Sequence, residues 1–301
     1  MALFYSDVFV LPLPAHHRFP MGKYARLRES LLASDAFPES EFRVPEPASE
    51  AEILRVHCPR YYGRVTRGEL DAAEQKAIGF PWSERMVMRS RQSSGATLAA
   101  AREALVRGWS ANLAGGTHHA FRDRGEGFCV FNDAAITARA MQAEAGLARI
   151  AVIDCDVHQG NGTAAIFRGD DSVFTFSIHG ARNFPFTKEE SDLDIELADG
   201  TGDDEYLWHL ERGLDETLER SRPQLAIYLA GADPYEDDRL GRLKLTKAGL
   251  ARRDRHVLAT LHASGIPVAI AMAGGYSRDI SDSVDIHART LAIARETWGD
   301  S

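Results

Sequence analysis

Residues 150–163, IAVIDCDVHQGNGT, decide how this chain is read. Ile150, Ala151, Val152 and Ile153 form a β-branched apolar run with strand character. The run breaks into Asp154, Asp156 and His158, and a helix opens near Gly162. Period-two alternation off the end of a strand puts Asp154, Asp156 and His158 on one side. A carboxylate and an imidazole two residues apart suit Zn²⁺ or a similar borderline cation. A solvated turn whose acids cap the following helix has the same appearance, so the segment needs company before it means chemistry.

Outward from this segment the pattern repeats. Residues 173–178, 225–229 and 268–272 read as further strands, alternating with helices over 162–167, 203–220 and 246–263, and a helix over 283–297 closes the chain. Strands separated by crossover-length helices predict an α/β fold, a parallel sheet flanked by helices on both faces. The amino-terminal part reads as irregular. It has a short strand at 3–6, a Pro/His-rich loop with His16 and His17, and helices over 22–33 and 95–106. Another helix is opened by a Ser49–Glu52 capping box. Neither a repeat nor a linker-like shift in composition divides the chain, which predicts a single domain over 1–301. Four predicted strands end in polar residues: Asp154, Asp156 and His158; Ser177 and His179; Asp233; and Gly274, Gly275 and Tyr276. In open parallel sheets ligands bind at that carboxyl edge.

Composition bounds the partners. With 301 residues, 44% hydrophobic and 26% charged, the chain is an ordinary globular protein, not a collagen-like or disordered one. The formal charge of −9, without a basic stripe interleaved with aromatics, argues against a nucleic-acid partner and favours attraction of cationic amines or basic tails. Three scattered cysteines suit a reducing compartment. No apolar run is long enough for a membrane span and no basic leader precedes one, so a cytoplasmic location is expected, with no membrane partner. Trp82, Trp109, Trp208 and Trp298 read as packing anchors, and Cys129 and Cys155 as small buried hydrophobes.

Three other clusters complete the chemistry. Gly115-Gly116-Thr117-His118-His119 offers a flexible loop that holds two imidazoles, the side chains best suited to proton transfer near neutrality. Leu229 to Asp233 runs an apolar strand into an isolated acid, and Ala273-Gly274-Gly275-Tyr276 sets a phenol on a glycine-rich strand end. Together they describe one machine: Asp156, His158 and Asp233 as three metal ligands with a position left open, His118 and His119 for protons, and Tyr276 for a tetrahedral oxyanion. That is metal-assisted hydrolysis of an amide.

The segments GGTHHAFRDRGEGFCVFND (115–133), IDCDVHQGNGT (153–163), LAGADPYEDD (229–238) and AGGYS (273–277) resemble those of the zinc-dependent histone deacetylase family, in family order. The short length and Asn161 are most similar to class IV deacetylases and their bacterial relatives. The resemblance implies the arginase-like α/β fold and removal of an acetyl or longer acyl group from an amine such as acetyl-lysine or an acetylated polyamine. It implies zinc (or Fe²⁺ in the cell) on Asp156, His158 and Asp233. The catalytic pair falls on His118 and His119, with Asp154 and Asn161 as their partners, and Tyr276 is the catalytic tyrosine. Gly127, Phe128, Phe184 and Gly275 correspond to substrate-binding positions. A structural K⁺ site falls on Asp154 and Ser177 with carbonyls of Asp156, His158 and Ile178, and a second monovalent site on carbonyls of Phe167, Asp170 and Val173. His16, His17 and Lys23 are candidates to line an exit route for acetate.

Three departures from the family pattern stand out. Asn161 is neutral where many members carry an Asp, which predicts a protonated His118 beside Asp154 and a neutral His119 acting as the base. Ala273 replaces a glycine ahead of Tyr276. No residue between 80 and 91 matches the family's rim acid. A ureohydrolase on the same fold needs more acids to bridge two Mn²⁺ ions. A catalytically silent binding module is the remaining alternative, and every catalytic position is filled.

Overall fold

The computed structural model describes residues 1–14 and 16–299; the remaining residues of the predicted 1–301 domain lie outside the described ones. Among the described residues eight strands pair in parallel: β1 Leu3–Phe4, β2 Phe42–Arg43, β3 Trp109–Asn112, β4 Ile150–Asp154, β5 Val173–Gly180, β6 Leu193–Leu197, β7 Leu225–Leu229 and β8 Val268–Ala271. Their order in the sheet is β2-β1-β3-β8-β7-β4-β5-β6. The expected parallel sheet with helices on both faces is therefore the observed architecture.

The central strands look uniformly apolar, yet they sort by parity. Ile150 and Val152 of β4, Leu225, Ile227 and Leu229 of β7, and Ala269 and Ala271 of β8 enter one core. Ala151 and Ile153, Ala226 and Tyr228, and Val268 and Ile270 enter the other. The first core is closed by the helices Glu84–Arg107 and Asp133–Ala145. The second is closed by Asp203–Ser221, Lys247–Ala263 and Ile280–Trp298, each with an apolar face on the sheet.

The amino-terminal part is more regular than expected. Helices occupy Lys23–Leu32, Glu50–Ile53, Pro59–Arg67 and Ala72–Ile78, and the predicted Ser49–Glu52 capping box is formed. The helix expected at 95 begins instead at Glu84, with Ser83 as its cap. Gly95, the apparent start, lies mid-helix where the chain crosses. A Cβ there would fall 2.0 Å from the Glu46 carbonyl oxygen, so only glycine permits the crossing. Ser177 and His179 are internal to β5, which runs on to Gly180, rather than at its end. Trp208 is not a packing anchor: it is 55% exposed, with the Arg212 guanidinium over its ring. Among the described residues no helix is long and apolar enough to cross a membrane.

One buried cation ties the sheet to the site. Arg253 is fully buried and donates to the Gly231 carbonyl at 2.6 Å and the Cys155 carbonyl at 3.2 Å. It thereby joins the chain just past β7 to the chain just past β4. Asp254 balances it and accepts from the Tyr228 and Thr290 hydroxyls at 2.6 Å each. A buried charge persists when it is paired and hydrogen-bonded in this way.

Candidate active site

Five neighbouring strands, β3, β8, β7, β4 and β5, feed one carboxyl edge. Past β3 comes the loop with His118 and His119, and past β8 the turn with Tyr276. Asp233 follows β7, Asp156 and His158 follow β4, and Phe184 follows β5. The loop past β3 is held by Asp133, which accepts from the Gly116 amide at 2.9 Å, the Thr117 amide at 2.7 Å and the Thr97 hydroxyl at 2.5 Å. Asn132 caps the same helix on the Ala135 amide.

Asp156, His158 and Asp233 are buried, and one ligand atom from each lies within 4.8 Å of the others. His158 Nδ1 lies 2.9 Å from Asp156 Oδ1 and 3.2 Å from Asp233 Oδ2. Asp233 Oδ1 accepts from the Val157 amide, whereas its buried Oδ2 has no hydrogen-bond partner. That oxygen faces the His158 imidazole, so without a metal a protonated His158 is the cation that meets it. Gly274 keeps the space open, since a Cβ there would fall 1.8 Å from Asp233 Oδ2 and 2.6 Å from Asp156 Oδ2. Burial raises Asp233 to about 7, helped by the neighbouring Asp156. Burial opposes the charged form of His158, yet Asp156 and Asp233 lift it to about 10, so a proton and a metal ion compete for one place. Donor set, burial and the open cradle all fit a divalent cation.

The two tandem imidazoles differ in their partners. His118 Nδ1 donates to Asp154 Oδ2 at 2.6 Å; burial pulls this imidazole down, but Asp154 and Asp156 outweigh it and hold it at about 9. His119 Nδ1 donates to Asn161 Oδ1 at 2.7 Å; burial, followed by the facing His118 and His158, keeps it well below 6.5. The two Nε2 atoms lie 3.2 Å apart, so one proton serves both. The partners are those the sequence pointed to, an acid beside His118 and an amide beside His119.

Glu126 was given no role by the sequence. Its Oε1 accepts from Asn161 Nδ2 at 2.7 Å, so its charge reaches His119 through an amide rather than directly. Asn161→Asp would set two carboxyl groups against each other. Combined with Glu126→Gln it should raise the acidic limb of kcat/KM by about one pH unit or more, because a direct carboxylate favours the imidazolium. The single variant should move the limb less. Unchanged pH–rate profiles in both would remove Asn161 from the control of His119.

Tyr276 is held from both sides. Its amide donates to Asp238 Oδ2 at 2.6 Å, and Asp238 Oδ1 accepts from the Leu240 and Gly241 amides. Asp238 belongs to the LAGADPYEDD motif but had been assigned no task. Ala273 adopts φ 55, the left-handed conformation in which glycine is unstrained, and its carbonyl accepts from Lys23 Nζ at 2.9 Å. Gly116 accommodates it: a Cβ on Gly116 would fall 2.4 Å from Ala273 Cβ. Lys23 starts the helix expected over 22–33 and is buried. Burial holds its pKa down to about 8. Burial, with Asp156 and Asp233 nearby, pushes the Tyr276 phenol well above its ordinary value, so it keeps its proton.

A deep cavity of about 30 Å³, room for about two waters, is lined by His118, His119, Asp156, His158, Gly274 and Tyr276. Above it lies a mouth of about 440 Å³ that Phe128, Phe184 and Phe186 help to wall. Gly127 and Phe128 border both, and the Phe184 ring stands edge-on to His119 at 4.9 Å. Gly275 faces elsewhere, towards Ala232, Ser283 and His287. Asp154 and Ser177 are register partners on β4 and β5, with the Ser177 hydroxyl 2.9 Å from His179 Nδ1. The Phe167 and Asp170 carbonyls accept from the Asp170 and Val173 amides. His17 Nε2 donates to the Gly79 carbonyl at 2.8 Å, its Nδ1 accepts from the Phe19 amide at 3.1 Å, and its ring lies 5.8 Å from that of Phe128.

Comparison with known proteins agrees with this geometry. A model of the histone deacetylase domain matches residues 17–291. The chain is 42% identical over 294 residues to an uncharacterized protein of Picosynechococcus, covering 98% of each. It is 36% identical to a probable deacetylase of Methanothermobacter thermautotrophicus, covering 92% of this chain and 86% of that one. It is 31% identical to a histone deacetylase-like amidohydrolase of Pseudomonas aeruginosa, covering 88% and 74%. The crystal structure of an HDAC homolog from Aquifex aeolicus shares the fold, with a TM-score of 0.82 at 24% identity over 97% of this chain and 83% of that one. Because the domain match runs over β2 to β8 and every residue of the cluster, the chain belongs to the histone deacetylase family of hydrolases.

Proposed function

We propose that this protein hydrolyses the amide of an acylated primary amine, acetyl-lysine or a longer acyl-lysine, with Zn²⁺ or Fe²⁺ held by Asp156, His158 and Asp233. One observation carries the reading: Asp156, His158, a pair of imidazoles and a phenol line one deep cavity, and Asp233 sets its carboxylate within 4.8 Å of the first two ligand atoms. When bound, the ion polarises the acyl carbonyl and makes water acidic near neutral pH.

The chain's own groups do the rest. His119, its Nδ1 proton committed to Asn161, accepts a proton from water at Nε2 and returns it to the leaving nitrogen. His118, paired with Asp154, contributes positive charge beside it. Tyr276 donates its hydroxyl to the oxyanion that forms on the substrate. Gly127, Phe128 and Phe184 admit a slender aliphatic chain and exclude water around it. A structural K⁺ is assigned to Asp154, Ser177 and the Asp156, His158 and Ile178 carbonyls; the register of β4 and β5 supports it. The three unpaired cysteines suit a reducing cytoplasm.

Acetate release from an acetyl-lysine peptide tests the reading. It should be lost on chelation, return with Zn²⁺ or Fe²⁺, and be absent in His119→Ala. Turnover that survives exhaustive chelation would sink it.

A further inference from the structure

We propose that the mouth of the cavity selects an acylated lysine carried in an acidic peptide segment, a reading that rests on the amide hydrolysis proposed above. The chain as a whole carries −9, which alone favours cationic substrates. The mouth has the opposite character. Arg18, Arg182 and Arg242 border it, and the acid among its lining residues is Glu126, whose Oε1 is engaged by the Asn161 amide. Asp199 faces two of these arginines, 3.1 Å from Arg242 and 3.9 Å from Arg182, so two guanidinium groups share one carboxylate. Both side chains remain open to solvent, 52% exposed for Arg242 and 78% for Arg182. Arg18 is exposed and makes no ion pair among the described residues.

The rim is built rather than incidental. Asn183 clips two loops together, donating to the Leu240 carbonyl at 2.7 Å and accepting from the Arg242 amide at 3.2 Å. Arg182 and Arg242 are thereby fixed on one wall. Arg18 comes from the amino-terminal loop, whose next residue, Phe19, packs on Phe128 at 5.2 Å. Phe186, 86% exposed, offers an aromatic surface beside them.

With an acyl-lysine seated in the tunnel, residues two positions away in an extended peptide lie within about 7 Å of its Cα. Carboxylates there meet guanidinium groups, which pair with them in bidentate fashion. A polyamine instead brings ammonium groups to a mouth where, among the described lining residues, three arginines face one acid, Glu126, which Asn161 engages.

The test uses the full-length, metal-loaded protein and fluorescent peptides with a central acetyl-lysine flanked by Asp/Glu, by Gly/Ser or by Lys/Arg, with N-acetylspermidine alongside. Both kcat/KM and binding by anisotropy are read at low and high salt. The acidic peptide should exceed the basic one by about tenfold or more at low ionic strength, with the gap closing as salt screens the rim. Arg182→Glu with Arg242→Glu should invert the order, and Arg18→Gln should narrow it, at unchanged melting temperature. Turnover without charge ordering, or a preference for basic peptide or polyamine, overturns the rim proposal and leaves the hydrolase reading standing. Acidic peptide bound more tightly but never cleaved supports the rim and overturns the hydrolase reading.

Discussion

Asp233→Asn is expected to abolish metal binding and turnover while leaving the chain folded. Asp233 is fully buried, one oxygen is satisfied by the Val157 amide, and the other lies 3.2 Å from His158 Nδ1. Asparagine keeps the shape and the accepting oxygen but removes an anionic ligand. Loss of an outer-shell partner alone typically weakens a metal site by 10–100-fold, so loss of a ligand should exceed about 100-fold. The metal-free variant should melt somewhat lower than the metal-free parent, because His158 loses one of its two buried carboxylate partners. Added Zn²⁺ should raise the parent's melting temperature, as a ligand at 1,000 times its Kd stabilises by about 4 kcal/mol, and should leave the variant's unchanged. Calorimetric titration and thermal melting check this together. A variant that keeps stoichiometric metal through dialysis would show that Asp233 is no ligand.

Tyr276→Phe should cut kcat by roughly 10²–10³, the usual effect of losing one oxyanion donor. KM should change little if the hydroxyl acts only as charge develops. The ring itself is well supported, edge-on to Phe19 at 5.8 Å and near Phe128 at 6.1 Å, and its backbone is fixed by Asp238. Removing one oxygen therefore leaves the packing in place, and circular dichroism and melting should match the parent. Steady-state rates within a few-fold of the parent would exclude Tyr276 from the chemistry.

Much of this site was legible in the chain because parallel strands write their geometry plainly. The run Ile150–Asp154 is apolar because both sheet faces are covered, and it turns polar where the sheet edge meets solvent and ligand. The same holds for β7 running towards Asp233 and β8 towards Tyr276. β3 escaped notice since Trp-Ser-Ala-Asn carries two polar residues, and only distant partners make them acceptable. Ser110 donates to the Ala2 carbonyl, and Asn112 to Ser93 and Thr97. The first half of the helix Glu84–Arg107 was missed for a related reason. Arg89 and Gln92 are buried and satisfied by the Phe9 and Pro45 carbonyls, which no helical period announces. The Ala-rich helix Asp133–Ala145 shows little amphipathic contrast because it is packed on several sides, although its Asn132 cap was a readable signal.

The amino-acid sequence by itself determined the fold class and marked the Asp-His-Asp group and the phenol, which stand where apolar strands turn polar, and the tandem imidazoles, which stand in a glycine-rich loop. Only the tertiary structure decided that β8 lies between β3 and β7, that Glu126 reaches His119 through Asn161, that Asp238 and Lys23 steady the tyrosine turn, and that arginines from separate loops ring the mouth. Those relations join residues tens to hundreds of positions apart. They arise from hydrogen bonds that buried polar groups must find wherever the packing supplies a partner.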